Sequence, residues 1–252
     1  MFCGGDRRVT LFGCDRLMSD IESFVATVAR HFAGRLGGAL VDAYKLGSLA
    51  HGGFSNVYSD IDVGLLLNCP EAPARMVDLI AEAKSLDAEY GKKLSVFWGN
   101  PDLTWGRLPH LDRLDMLDHG VPLLSGHKPQ FRRPTKQAIR DELLRSVEKS
   151  WQPRLSELNA LTELAPANRK PYIRAILYAA RLIYSWDHLA MESNDRAVAY
   201  LHEVQLPSLD LNPIDMALAC RNGRCGADDV FALHTDLVRQ CERAISYISA
   251  RP

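Results

Sequence analysis

The chain has no apolar run able to cross a bilayer. Its longest, such as "VGLLL" and "AILYAA", fall far short of the roughly 20 residues a spanning helix needs. The N-terminus, "MFCGGDRRVTLFG", has no continuous apolar stretch behind its charges, so a secretory signal is not expected and a cytoplasmic protein is. Excess charge is also missing: 30 basic and 31 acidic residues leave a formal net charge of −1. A global attraction for nucleic acid or an anionic membrane is therefore not expected, and any nucleotide contact must be local. Six cysteines are present (Cys3, Cys14, Cys69, Cys220, Cys225, Cys241), but only Cys220 and Cys225 are close, and "CRNGRC" has no second pair beside it. A structural zinc site wants four ligands, commonly two close pairs, so reduced thiols are the expectation. There is no internal repeat and no low-complexity tract, and nothing in the sequence speaks to oligomeric state.

What is present is an ordinary globular composition, 47% hydrophobic and 24% charged over 252 residues, long enough for two domains with a cleft between them. Apolar residues at Ile21, Phe24, Val25, Val28, Ala29 and Phe32 predict a helix behind a Ser19 or Asp20 cap. "GALVDAYKLGS", "DIDVGLLL" and "KKLSVFWG" read as strands, with a helix over "APARMVDLIAEAKSL" between the last two. After "HGVPLLSGHKPQFRRP" the pattern becomes helical throughout: 135–151, 153–161, 169–188, 195–203, 213–220 and 227–248. The expectation is an α+β chain, with a small mixed-sheet α/β domain over 1–128, an all-α helical bundle over 129–252, and a boundary near 127–134.

Chemistry concentrates in "KLGSLAHGGFSNVYSDID", residues 45–62. If Asp60 and Asp62 begin a strand, period-2 alternation sends both carboxylates to one face. Two such charges repel unless a cation sits between them, and magnesium with oxygen ligands answers that need. Upstream, Gly47 and Ser48 end the first strand in a turn whose small residues let backbone N–H groups approach an anion. A metal site beside an anion cradle suits a metal-bound polyphosphate. The plain alternative is a glycine- and serine-rich surface loop with two solvated acids.

The stretch "GSLAHGGFSNVYSDIDVGLLL" resembles the signature of the DNA polymerase β-type nucleotidyltransferases, especially the bacterial enzymes that adenylylate aminoglycoside or lincosamide antibiotics. The resemblance covers Leu46 to Leu67 and thins beyond. It implies that Gly47 and Ser48 contact the terminal phosphates of ATP, that Asp60 and Asp62 hold Mg2+, and that Ser59 occupies the serine preceding the first acid. "YAARLIYSW" is similar to a helix of the streptomycin/spectinomycin adenylyltransferases that sends an arginine into the ATP site, which implies that role for Arg181. Read from the residues alone, Arg181 sits in an apolar helix where its charge needs a partner, and a structural salt bridge competes with a phosphate contact. Arg169, Lys170 and Arg174 precede it, and Arg174, two turns away, joins it as a candidate for the triphosphate.

Two carboxylates that the resemblance leads one to expect are absent. Ser95 in "KKLSVFWG" stands where the antibiotic-type enzymes place a glutamate, and "NRKPYI" lacks the acid those enzymes use for a cationic drug. Asp102 is the first candidate for a replacement base and Glu89 the second, with a surface turn as the alternative for both. Arg181 and His188 also form the R-x6-H spacing of HEPN ribonucleases, although Leu182 departs from the polar residue usual there. Among the tryptophans, Trp105 is the one expected near a cleft. The expected function is Mg-dependent transfer of AMP from ATP to a hydroxyl of a small acceptor held between the domains, with pyrophosphate released. The alternative is a catalytically impaired nucleotide-binding module that regulates a partner protein.

Overall fold

The computed structural model describes residues 9–69, 72–102, 104–206, 208–233 and 237–251; Cys3 lies outside them. Helix α1 (Val9–Leu36) starts well before the expected cap. Ser19 and Asp20 are exposed positions inside it. The apolar face from Ile21 to Phe32 is buried as its spacing requires, and it packs on a sheet of β1 (Leu40–Leu46), β2 (Ile61–Leu67), β3 (Leu94–Gly99), β4 (Gly106–Arg107) and β5 (Val121–Pro122). The strand order is β4-β3-β2-β1-β5. β2 runs parallel to β3 and antiparallel to β1, and β1 and β3 pair antiparallel with β5 and β4.

Alternation along β2 sorts its side chains. Ile61, Val63, Leu65 and Leu67 enter the core beneath α1 and α3 (Met76–Lys84). Leu66 joins a smaller core on the opposite face with Tyr44, Leu46, Leu108 and Met116. That second face is covered by α4 (His110–His119), which the sequence pattern did not mark. Its charged "LDRLDMLDH" gives it only a narrow apolar stripe, and its position depends on a glycine. A Cβ on Gly64 would lie 2.2 Å from Met116 Cε and 2.8 Å from Leu46 Cδ1, so the missing side chain is what lets α4 lie this close to the sheet.

The second half is helical, as expected. α5 (Lys136–Ser146) passes through a π-helical turn at Val147–Trp151 straight into α6 (Gln152–Asn159), where the sequence suggested two separate helices. α7 (Pro166–His188) is the central helix; α8 (Asn194–Val204) and α9 (Leu211–Arg221) pack on it. The single helix expected over 227–248 is two in the described residues, α10 (Ala227–Phe231) and α11 (Leu237–Ser249), with 234–236 outside them. Tyr58 and Leu114 from the first half are buried in this helical core, which fixes the loop before β2 against α7 and α9. Cys220, Cys225 and Cys241 are free thiols. Among the described residues no helix is long and apolar enough to cross a membrane.

Candidate active site

A cleft of about 670 Å³ opens where the ends of β1 and β2 face α5–α9. Register explains the acid side of it. Leu46 pairs with Asp62 across the antiparallel ladder, so the residue after Leu46 must turn beside that carboxylate. Gly47 does so at φ 62°, ψ −150°, a backbone region essentially reserved for glycine. A Cβ there would lie 2.3 Å from Asp62 Oδ2. The Gly-Ser turn and the second acid are thus one packed unit. From it the short helix α2 (Ser48–His51) begins. The Gly47 N–H, expected to face a phosphate, is donated to Asp115 Oδ2 of α4 at 2.6 Å.

Ser59 is the knot of this wall. Its buried hydroxyl accepts from Ser55 N–H at 2.9 Å and from Arg221 at 2.8 Å, and it lies 2.9 Å from the Ser48 hydroxyl. β2 starts at Ile61, so Asp60 lies just before the strand and Asp62 inside it; both line the cleft. Asp60 accepts from Lys170 Nζ at 2.6 Å and Arg174 at 2.8 Å, both from α7. Asp62 has its carboxyl pushed up to about 6, first by burial and then by repulsion from Asp60 and Asp115, with Arg174 and Arg181 opposing. An acid so disfavoured in its ionised form gains from any cation placed on it. Opposite Asp62 on β3 stands Ser95, so the sheet supplies no third carboxylate there.

The acids sequence reasoning missed come from α4. Asp112 is raised to about 7, first by burial and then by Asp62, Asp115 and Glu142, with Arg181 opposing. Glu142 accepts from the N–H groups of His110 and Leu111 and so caps this helix. Beside them, His51 lines the cleft with its Nε2 3.8 Å from Asp115 Oδ1, and burial lowers its pKa.

Opposite the acids the wall is cationic. Arg181 lines the cleft as the sequence suggested. It makes no hydrogen bond or ion pair within the described residues, so the structural salt bridge is not what is found. Arg221, at the end of α9, is 7% exposed. Its Nη2 donates to Gly53 O and Ser59 Oγ, its Nε has no partner, and no carboxylate pairs with it. Burial lowers its pKa, with Arg181 and Arg174 adding repulsion. Nothing in "CRNGRC" marks it, because its neighbours Ser59 and Gly53 belong to a loop 162 and 168 positions away in sequence. The π-helical turn brings Ser150 and Trp151 to the cleft, where Trp151 meets Tyr178 at 4.7 Å between ring centroids; π turns of this kind often sit at functional sites. Glu192, between α7 and α8, is the remaining carboxylate of the lining, and it accepts from Ser193 N–H at 2.8 Å.

Of the residues singled out from sequence, Gly47, Ser48, Ser59, Asp60, Asp62, Arg174 and Arg181 come together in this cleft. Asp102 does not: it is exposed in the turn after β3, and Glu89 is exposed before that strand; neither lines the cleft. Trp105 packs on Trp98 instead, at 6.4 Å, so the cleft tryptophan is Trp151. His188 is exposed and stacks on Tyr184 and Tyr200 at 4.4 and 4.6 Å, outside the cleft.

No protein-family model matches the chain, and no curated protein matches it in sequence. Among solved structures, it is similar to the crystal structure of spectinomycin adenyltransferase AAD(9) from Enterococcus faecialis with ATP and spectinomycin, at a TM-score of 0.61 and 13% identity. The likeness covers 88% of this chain and 98% of that one. At that identity it shows a shared fold alone, an α/β unit followed by helices.

Proposed function

We propose that the cleft transfers AMP from ATP to a hydroxyl of a small acceptor and releases pyrophosphate. One observation carries this reading: Asp62, packed on the Gly47 turn, and Asp60 beside it line a cleft with two guanidinium groups, Arg181 and Arg221, that make no ion pair within the described residues. The carboxylates nearest Arg221, Asp195 and Asp60, only partly offset its burial, which still lowers its pKa, so an anion in direct contact is favoured and a polyphosphate supplies it in bidentate form. The shared fold with a protein whose structure holds ATP supports the same reading.

The donor set fits magnesium. Asp60 and Asp62 offer hard oxygens, and the raised carboxyl of Asp62 marks a place that favours a cation. Among the described residues no cluster of three or more His, Cys, Asp or Glu is placed to hold a metal, so the other ligands would be phosphate oxygens and water. When bound, the ion neutralises charge developing on the phosphates. The chain's own residues do the rest. Arg181 and Arg221 hold the departing pyrophosphate. Lys170 and Arg174 hold Asp60 and would be released from it where that carboxylate bound the ion. The acceptor oxygen bonds to the α-phosphorus, the bond from that phosphorus to the bridging oxygen breaks, and the hydroxyl proton passes to Glu192, the cleft carboxylate not engaged with metal. The boundary between a catalytic unit at 1–128 and a helical unit at 129–252 belongs to the same proposal.

A second reading, a nucleotide-binding module without turnover, is favoured by two features: Ser95 in place of an acid, and an Asp60 already neutralised by two cations. Calorimetric binding of a non-hydrolysable ATP analogue with magnesium, followed by pyrophosphate release with ATP and acceptors, separates the two. Binding with release supports transfer; binding without release supports the module.

A further inference from the structure

The side chains facing the acid pair also bear on the acceptor. Five cations line the cleft: Arg154, Lys170, Arg174, Arg181 and Arg221. Against them stand three carboxylates, Asp60, Asp62 and Glu192. Lys170 and Arg174 share one carboxylate between them. Arg154 pairs only with Glu157, with side chains 47% and 67% exposed; an ion pair that open is weak and leaves Arg154 available to a ligand. Arg181 and Arg221 are taken by the triphosphate in the proposed transfer, which leaves Arg154, Lys170 and Arg174 for the acceptor.

The wall left for an acceptor is built by α5, the π turn, α6 and the first half of α7. Its charged side chains in the cleft are Arg154, Lys170 and Arg174, and its neutral donors are Ser146, Ser150 and Tyr178. Among the described residues no carboxylate of these elements reaches the cleft. A polycation would meet three like charges on this wall, with Asp60 already shared by two of them and Glu192 the one carboxylate of the lining outside the acid pair, and complementarity of charge decides which partner such a wall admits. Resting on the nucleotidyl-transfer reading, we propose that the acceptor is a hydroxyl compound carrying a carboxylate or phosphate group, held by Arg154, Lys170 and Arg174, and not a polycationic aminocyclitol.

The test measures binding to the protein saturated with magnesium and α,β-methylene-ATP, so that the nucleotide site is filled. Each anionic probe is paired with its neutral parent: glucose 6-phosphate and gluconate against glucose, glycerol 3-phosphate and glycerate against glycerol. Spectinomycin and streptomycin serve as cationic probes. At least one anion is expected to bind ten or more times more tightly than its parent, the cations are expected not to bind, and Arg154→Glu is expected to reduce the anion-to-parent ratio at least tenfold. Equal binding of every anion and its parent, tighter binding of spectinomycin or streptomycin, or a ratio untouched by Arg154→Glu would overturn the proposal. The analogue's own affinity is measured first. If it fails to bind with magnesium, the transfer reading falls and takes this inference with it; if it binds and the anions show no preference, only the inference falls.

Discussion

Replacing Asp62 with Asn separates what the carboxylate does for chemistry from what it does to the fold. Its carboxyl is raised from 3.8 to about 6, chiefly by burial and by Asp60 and Asp115. The unfolded chain gives up this proton more readily than the folded one, so its contribution to stability is complete below about pH 4 and declines as pH rises through about 6. At about 1.4 kcal/mol per unit, holding the ionised carboxylate at pH 8 without metal costs the fold up to about 3 kcal/mol. Asparagine keeps the size and removes the charge. The metal-free Asp62→Asn protein should therefore melt several degrees higher than the parent at pH 8 and no higher at pH 4. The proposed AMP transfer should fall by about two to three orders of magnitude, because the carboxylate proposed to hold magnesium is gone. Thermal melts in chelator at pH 4, 6 and 8, paired with a transfer assay, read both effects. A variant less stable than the parent at pH 8, or one shifted equally at pH 4 and 8, would show that Asp62 is not held in a disfavoured ionised state.

Three further substitutions address other parts of the site. Gly47→Ala puts a Cβ 2.3 Å from Asp62 Oδ2 at a φ of +62° and should lower stability by about 1–3 kcal/mol, with magnesium-dependent nucleotide binding lost in calorimetry; unchanged binding would mean that the turn and the acid are not coupled. Arg221→Lys replaces a planar fork by a point charge, and should weaken binding of the ATP analogue tenfold or more while binding of AMP changes little; an equal loss for both ligands would place Arg221 away from the outer phosphates. Glu192→Gln should cut kcat by roughly a hundredfold and leave the affinity for the analogue in place; a full rate would remove Glu192 as proton acceptor.

The parts of this molecule that sequence showed clearly are those whose cause is local. "DIDVGLLL" carries alternation and the acid pair within eight residues, and α1 carries its buried stripe at helical spacing. Both are close to where the pattern put them, apart from Asp60, just before β2, and the early start of α1, whose first turns "VTLFGCDR" break the helical spacing with Gly13, Asp15 and Arg16. The parts that stayed hidden depend on distant contacts. Helix α4 has too few apolar positions to stand out, and it is held by the gap at Gly64 and by the capping carboxylate of Glu142, 46 and 32 residues from His110. Asp115 gains its place on Gly47 only through that packing. Arg221 acquires its surroundings from Ser59 and Gly53, contacts no window of sequence contains. Asp102 stood out because β3 is legible in the sequence, whereas the α7–α8 turn that brings Glu192 to the cleft is not.

The measurement that bears most directly on nucleotidyl transfer is incubation of the protein with magnesium and ATP labelled at the α-phosphate, across anionic, neutral and cationic hydroxyl acceptors, with pyrophosphate and labelled product counted together. The account expects equal amounts of both with at least one acceptor, and neither with Asp60→Asn. Tight binding of nucleotide with no pyrophosphate and no labelled product across the whole set would contradict it.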